Sequence, residues 1–167
     1  MNLRIVAVSD RPELASVVAR WRVRAFFDYP GGYTVEEMTA LILAPAVSPI
    51  ETFVLFDDDH PVGTAGLVRQ DLDTRPDLTP WLAGLFVEPA FRGRGHATAL
   101  IRRVEAFALA ASIPVLWLYT ATAEQLYAGL GWQRVGLEQE DGHAVVLMRR
   151  FLSEEYPGLG GNRRQPA

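Results

Sequence analysis

The pattern of hydrophobic and polar positions divides the chain into strand-like and helix-like segments. Apolar residues spaced i, i+3, i+4 and i+7 are typical of one buried helix face, whereas alternation or a short apolar run is typical of a strand. This pattern predicts the element order βααβββαβαββ, which is a mixed α/β fold class. We expect residues 1–152 to form one domain, because we find no internal repeat and no dividing linker in them. The tail over residues 153–167 has almost nothing to bury, so we expect it to be mobile.

Capping signals locate the two N-terminal helices. We expect the first helix to begin at Asp10, with Glu13 as its capping-box partner. The second is expected to begin at Thr34, with Glu37 in the same role. A loop bracketed by prolines follows over residues 45–49. The buried face of the first helix is predicted to comprise Leu14, Val17, Val18 and Trp21.

The strand signals predict two hairpins around a buried centre. The segments "ETFVLFD" and "PVGTAGLVR" are joined by the polar turn "DDDH", and "WQRVGLEQ" and "HAVVLMRRF" by "EDG". Between these hairpins, "WLAGLFVE" and "VLWLYT" are largely apolar, which favours strands near the centre of a sheet.

Two further helices alternate with these central strands. The third helix is ended by Pro114, and the fourth has Thr122 and Gln125 as a capping box and Gly131 as a C-terminal stop. The buried stripe of the third helix is predicted to comprise Leu100, Val104, Phe107, Ala108 and Ala111.

Composition narrows the class of protein. The chain has 167 residues, of which 49% are hydrophobic and 22% charged, as in ordinary globular domains. Because it has no cysteine, disulfides, a thiol nucleophile and thiolate metal sites are excluded. His60, His96 and His143 lack metal-ligand spacing, so we expect no metal. We find no apolar run of about 18 residues and no signal-peptide pattern, and therefore expect no membrane partner and a cytoplasmic location. The net charge of −4 argues against nucleic acid as a partner.

Positive charge is concentrated at one turn, "FRGRGH", between an apolar strand and a helix. The first N–H groups of a helix have no internal partners, and the helix dipole adds partial positive charge there. Together with Arg92 and Arg94, such a turn has the parts needed to hold a diphosphate, and a solvated surface turn is the alternative. A P-loop would need Gly-Lys-Ser/Thr, which is absent. A Rossmann site would need Gly or Ala where Thr98 stands.

The segment "LFVEPAFRGRGHATALI" resembles the strand-turn-helix signature of the GNAT superfamily of acyl-CoA-dependent N-acyltransferases, with Arg92, Gly95 and Ala97 at the motif positions. The segment "LYAGLGW", with Tyr127 before Gly131, is similar to a later pattern of the same family. By element order the resemblance extends over roughly residues 3–150. It implies a central, mostly antiparallel sheet of about seven strands with helices on both faces.

The resemblance also implies a cofactor, acetyl-CoA, used as cosubstrate. Its diphosphate would bind to backbone N–H groups of the turn, and its pantetheine arm would pair with the preceding strand as an added strand does. Arg102 or Arg103 is a further candidate for a CoA phosphate. A homodimer is compatible with the resemblance. The implied cofactor-binding residues are Leu85, Phe86, Val87, Arg92, Gly93, Arg94, Gly95, His96, Ala97 and Thr98.

The expected reaction is acetyl transfer to a primary amine of a small molecule or peptide, by direct attack in a ternary complex. Tyr127 is the candidate acid for the leaving thiolate, because a phenol can donate a proton and the residue matches the family tyrosine. A buried ring with a purely structural role is the alternative for Tyr127. A non-catalytic acyl-CoA-binding or sensing module is the alternative for the whole domain.

The general base is where the sequence departs from the family pattern. Positions 81–84 of the fourth strand, where many members carry a carboxylate, hold "WLAG". Glu88 lies past the strand end and is expected to be solvated. In the long loop, Asp71 and Asp73 could face an amine or serve solubility alone, and a water chain is a further alternative. Asp71 and Trp81 are the candidate substrate-binding residues. Thr120 stands where many members have asparagine, which puts one cofactor or helix-capping contact in doubt.

Overall fold

The computed structural model describes residues 2–44 and 50–153. The loop predicted at residues 45–49 and all but the first residue of the tail predicted at residues 153–167 lie outside the described residues. No helix in the described part is long and apolar enough to cross a membrane. The predicted element order is confirmed, with strands β1 (Leu3–Ala7), β2 (Glu51–Asp57), β3 (His60–Val68), β4 (Trp81–Val87), β5 (Val115–Thr120), β6 (Gln133–Glu140) and β7 (His143–Phe151), and helices α1 (Ala15–Phe26), α2 (Val35–Leu43), α3 (His96–Ala110) and α4 (Glu124–Gly129).

The seven strands form one sheet in the order β1-β2-β3-β4-β5-β7-β6. Neighbouring strands are antiparallel except β4 and β5, which run parallel and pair only at Trp81 with Trp117. This pair lies at the start of β4, so the two strands diverge towards their C-terminal ends. The predicted, mostly antiparallel sheet is therefore confirmed, and it has an opening between its two central strands.

Alternating side chains of β2 show that helices cover both faces of the sheet. Phe53 and Leu100 of α3 belong to one buried cluster, whereas the adjacent Val54 and Val18 of α1 belong to another. Successive side chains of a strand point to opposite faces, so α3 and α1 lie on opposite sides. The opening between β4 and β5 therefore faces both sides of the sheet. Residues packed around α3 line one side, and residues packed around α1 line the other.

The capping prediction for α1 is wrong. The chain enters α1 through a 3-10 turn at Pro12–Leu14, and neither Asp10 nor Glu13 caps it. The Glu13 carboxylate instead accepts a hydrogen bond of 2.6 Å from Arg11 Nε. The predicted buried face holds: Leu14, Val18 and Trp21 are buried and Val17 packs against them.

The capping predictions for the other two short helices have opposite outcomes. Thr34 and Glu37 form the predicted capping box of α2, with both reciprocal bonds at 3.1 Å. The predicted box of Thr122 and Gln125 is wrong, because α4 starts without a side-chain cap. Thr120 Oγ1 accepts from the Ala123 N–H at 2.9 Å just before α4. Thr120, which stands where many family members have asparagine, thus makes a hydrogen bond that stabilises the turn before α4.

Replacement of Leu100 by alanine should lower the free energy of unfolding by about 2–5 kcal/mol, because Leu100 is fully buried where α3 packs on the sheet. Leu109 lies on the same helix and is 52% exposed. The matched Leu109→Ala variant should change the free energy by no more than about 0.5 kcal/mol. Urea denaturation of both variants measures the difference, and equal losses would contradict the packing described here.

Candidate functional site

A bulge shapes β4 beside the opening. The register between β3 and β4 shifts between Thr64 and Gly66, and Gly84 of β4 adopts a φ of 66°. Such a conformation suits glycine because it has no Cβ. On the other edge of β4, no residue past Trp81 pairs with β5 in the part of the chain that the structure describes. That edge of the β4 backbone is consequently available to a ligand.

Leu85, Phe86 and Val87 lie along this available edge with their side chains directed into the protein. Val87 belongs to the α3-side cluster, against which Leu85 also packs, whereas Phe86 stacks on Trp21 of α1 at 5.8 Å between ring centroids. The backbone of these residues, more than their side chains, is therefore what the opening offers to a ligand.

The glycine-arginine turn joins β4 to α3 at the wide end of the opening. Gly93 and Gly95 have φ values of 76° and 82°, and Gly95 is the N-cap of α3. The Arg92 N–H donates to the Pro89 carbonyl at 3.3 Å. Between residues 50 and 153, no backbone carbonyl accepts from the N–H of Gly93, Arg94 or Gly95. Exposed, unpartnered N–H groups at a helix N-terminus form an anion site.

The two arginines of the turn have different roles. Arg92 Nε donates to the Val87 carbonyl at 2.9 Å, which ties the turn to the end of β4. Arg94 is about half exposed, lies 3.7 Å from the Asp57 carboxylate and stacks over Phe91. The guanidinium of Arg94 is therefore the one with freedom to reach a bound anion.

Three residues begin α3. His96 is almost fully buried, with Nε2 at 3.3 Å from the Asp57 carboxylate, and Ala97 and Thr98 are half-buried in the first helical turn. The burial of His96 leaves its backbone, more than its imidazole, to contact a ligand.

Arg102 and Arg103 contact residues outside the glycine-arginine turn. Arg102 donates to Glu105 at 2.8 Å and to the Leu130 carbonyl at 3.0 Å, and the guanidinium of Arg103 lies over the Phe53 ring. Neither interaction leads towards the glycine-arginine turn, so Arg94 is the better candidate for a phosphate.

Tyr127 lies on α4, which follows the diverging strand β5. Its side chain is buried and its ring packs edge-on against Trp132, with centroids 6.0 Å apart. Burial raises the pKa of the Tyr127 phenol to about 12. The phenol consequently stays protonated at neutral pH. Packing in the core and the ability to donate a proton are thus compatible at this residue.

Glu88 is held by α1, and the expectation that it is solvated is wrong. Its carboxylate accepts from the Trp21 indole N–H at 2.6 Å and from Arg24 at 3.4 Å. The Glu88 carboxylate therefore anchors α1 at the end of β4, and these bonds occupy it.

An acidic cluster lies on the α1 side of the sheet, at the loop before β4. Burial and the neighbouring carboxylates of Glu140 and Asp73 raise the pKa of Asp71 to about 7, against a smaller lowering effect of Arg22. The Tyr119 hydroxyl donates to Glu140 at 2.6 Å, and burial together with the charge of Asp71 raises its pKa. Asp71 thus combines burial with a pKa close to neutrality, as catalytic carboxyls often do.

Trp81 supports the acidic cluster by packing against one of its neighbours. Its side chain is fully buried, its indole N–H donates to the Leu78 carbonyl at 2.8 Å, and its ring packs against Tyr119. The indole has no exposed surface to offer a substrate, so Trp81 can act on the site only by supporting its neighbours.

Arg22, Tyr119 and Glu140 are site residues that sequence reasoning missed. Arg22 carries one detectable signal, because it stands four residues after Val18 on the buried face of α1, where a charge is unusual. Tyr119 and Glu140 carry no such signal, since aromatic residues are common in strands and Glu140 precedes a hairpin turn. Among the described residues there is no group of three or more His, Cys, Asp or Glu that could hold a metal.

An opening between two central parallel strands, with a glycine-rich helix N-terminus at its wide end, characterises the acetyltransferase class. The family model "Acetyltransferase (GNAT) family" matches residues 18–132. The chain therefore belongs to the GNAT acetyltransferase family.

Solved structures share this fold at low sequence identity. The yncA protein of Salmonella typhimurium, solved with acetyl-CoA, is 16% identical with a TM-score of 0.73 over 94% of this chain and 98% of that one. An aminoglycoside 6'-N-acetyltransferase complexed with coenzyme A is 15% identical with a TM-score of 0.71 over 92% and 98%. A GNAT acetyltransferase of Streptococcus pneumoniae is 22% identical with a TM-score of 0.65 over 90% and 99%. The comparison with curated proteins gives no match.

Proposed function

We propose that the chain is an N-acetyltransferase that moves an acetyl group from acetyl-CoA to a primary amine by direct attack in a ternary complex. The observation that carries this proposal is the free N–H groups of Gly93, Arg94 and Gly95 at the wide end of the β4–β5 opening. The structural neighbours that hold acetyl-CoA and coenzyme A add support, because they share the fold.

Acetyl-CoA would extend along the opening from the turn towards the bulge. Its diphosphate would accept from the free N–H groups of the turn, and Arg94 would add a charged contact. The amides of the pantetheine arm would pair with the free edge of β4 at Leu85 and Val87. The thioester would then lie near Gly84, between the α1 side and the α3 side of the sheet.

Asp71 is the proposed general base. A free alkyl ammonium has a pKa near ~10.4, so an acceptor must lose a proton before it can attack the thioester. A carboxylate with a pKa of about 7 can take that proton directly or through one water, and binds the ammonium before transfer. The alternative in which Asp71 serves solubility alone does not account for its partial burial and raised pKa. Holding both substrates together supplies further acceleration.

Tyr127 is the proposed acid for the thiolate of CoA. Tyr127→Phe should lower kcat by about 10- to 100-fold while changing the Kd of acetyl-CoA by less than about 3-fold, since the lost interaction forms mainly in the transition state. Steady-state kinetics and calorimetric titration measure the two effects. Tyr29→Phe, which removes the hydroxyl of a 54% exposed ring, is the control. Unchanged turnover in the Tyr127 variant would show that Tyr127 is only a core residue.

A thiol-release assay over a panel of primary amines tests the proposed function. We expect release of CoA that depends on the amine and equals the amount of N-acetylated product. Binding of acetyl-CoA without release in the presence of any amine would favour a non-catalytic acyl-CoA-binding module. Labelling of the protein by acetyl-CoA alone would contradict direct attack.

A further inference from the structure

Arg22 of α1 holds a largely buried positive charge over the bulge of β4. A Cβ at Gly84 would lie 3.0 Å from Arg22 Nε, and one at Gly66 would lie 3.0 Å from Arg22 Nη2. The guanidinium is therefore seated directly against the backbone of β3 and β4, in space that exists because both positions are glycine. Such close seating fixes the charge at the place where the opening meets the α1 side of the sheet.

The surroundings of Arg22 do not neutralise this charge. Its Nε is shielded from solvent and has no hydrogen-bond partner. The hydrogen bond that Arg22 makes, from Nη2 to Thr52 Oγ1, is long at 3.4 Å. Within residues 2–44 and 50–153, no carboxylate lies within 4.0 Å of the guanidinium. Burial lowers the pKa of Arg22 to about 10, which reflects this missing compensation. Buried charges in proteins are normally paired, so a ligand is expected to supply the partner.

Arg22 and the acidic cluster are neighbours with opposite charge. Asp71 and Arg22 influence each other electrostatically, although they are too far apart to form an ion pair. Glu140 and Tyr119 also lie near Asp71, because the Glu140 carboxylate raises the pKa of Asp71 and the charge of Asp71 raises the pKa of Tyr119. A molecule beside Asp71 thus meets negative charge at one place and a fixed, unpaired positive charge at another.

We infer that the acceptor carries both groups, and that it is an amino acid or related amine whose carboxylate pairs with Arg22 while its amine faces Asp71. This substrate class rests on the proposed acetyltransferase function. A guanidinium binds a carboxylate through two parallel hydrogen bonds and can use the unpartnered Nε in one of them. The bulge at Gly84 would place the amine of such an acceptor near the thioester. Acetylation breaks the thioester C–S bond and forms an amide C–N bond. The acceptor ammonium gives one proton to Asp71 and a second, through Tyr127, to the departing CoA thiolate, while the acceptor carboxylate is unchanged.

The test compares matched acceptors that differ only in the carboxylate. Wild-type kcat/KM is measured for L-methionine, L-phenylalanine, L-glutamate and β-alanine, each against its carboxamide. We expect at least one acid to exceed its amide by about 10- to 150-fold, the factor that corresponds to a hydrogen-bonded ion pair of about 1.5–3 kcal/mol. Arg22→Met should reduce that ratio to below about 3. Arg20→Met, an exposed arginine on the same helix, is the control and should keep the wild-type ratio.

The outcomes separate this inference from the proposed function. Transfer to amines with equal rates for acids and amides would overturn the inference and leave the acetyltransferase standing. Equal losses for acid and amide in Arg22→Met would show that Arg22 only supports the bulge, which also overturns it. Absence of transfer to every amine in the panel of simple amines and amino acids, with acetyl-CoA bound, would count against the proposed function itself. If Arg22→Met does not fold, competition supplies the readout. The N-acetyl product of the preferred acid should then inhibit the wild type at least 10-fold more strongly than its amide.

Discussion

Asp71→Asn is expected to lower kcat/KM by about 10²–10⁴-fold, the range typical for loss of a general base. The asparagine keeps the size of the side chain but can neither take the amine proton nor attract the ammonium. Because Asp71 lies in the loop before β4 and outside the cofactor turn, the Kd of acetyl-CoA should change by less than about 3-fold. Steady-state kinetics with the best acceptor, combined with calorimetric titration of acetyl-CoA, measures both quantities.

The pH dependence of kcat/KM provides a second test of Asp71 as the general base. Asp71 acts as a base only when it is ionised, so kcat/KM should rise with pH and level off above the pKa of about 7. The position of this limb depends on the groups that face Asp71, which are the carboxylates of Glu140 and Asp73, the guanidinium of Arg22 and the phenol of Tyr119. Asp71→Asn should abolish the limb.

Asp77→Asn is the matched control for this variant. Asp77 lies in the same loop, is exposed and pairs with Arg75, which keeps Glu138 as a partner at 3.1 Å. Its replacement should change kcat/KM by less than about 2-fold, as surface ion pairs contribute little. If Asp71→Asn behaves like this control and retains the same pH limb, Asp71 is not the base and a water chain to another group must be sought.

Gly95→Val is expected to weaken acetyl-CoA binding by about 10- to 100-fold. Gly95 has a φ of 82°, which a β-branched residue adopts only with strain, and a Cβ there would meet no atom within 4 Å. The substitution thus acts through the backbone, by turning the N–H groups of the turn away from the diphosphate. One lost hydrogen bond to a charged group costs about 1.5–3 kcal/mol, which covers this range of Kd.

Gly31→Val separates that effect from general destabilisation. Gly31 has a φ of 86° and equally open space around its Cβ position, but it lies between α1 and α2. Both variants should lose similar stability in urea, and the Kd of acetyl-CoA should change in the Gly95 variant alone. Equal affinities in the two variants would show that the diphosphate is bound elsewhere.

The strand, turn and helix of the proposed cofactor site were predictable because they are contiguous in sequence. The strand, the turn with Gly93 and Gly95, and α3 follow one another, so spacing alone locates the helix N-terminus. Local capping was less dependable. Thr34 and Glu37 form their predicted capping box. The similar pattern at Asp10 does not cap α1, because Pro12 begins a 3-10 turn there and the Glu13 carboxylate accepts a hydrogen bond from Arg11 instead.

The proposed acceptor site was not predictable, since it is assembled from distant segments. Arg22 comes from α1, Asp71 from a loop, Tyr119 from β5 and Glu140 from β6. Each is an ordinary residue in its own segment, and only the sheet brings their charges together. The raised pKa of Asp71 arises from that assembly, so no pattern in the loop itself could indicate it.

The central claim is that the turn at residues 92–97 and the opened strand pair bind acetyl-CoA, and urea denaturation with and without acetyl-CoA tests it most directly. At about 100 times its Kd, acetyl-CoA should raise the free energy of unfolding by about 2.7 kcal/mol. The increase should be retained in Gly31→Val and should fall to about 0.4–1.4 kcal/mol at the same concentration in Gly95→Val. No stabilisation of the wild type at any acetyl-CoA concentration would contradict the account.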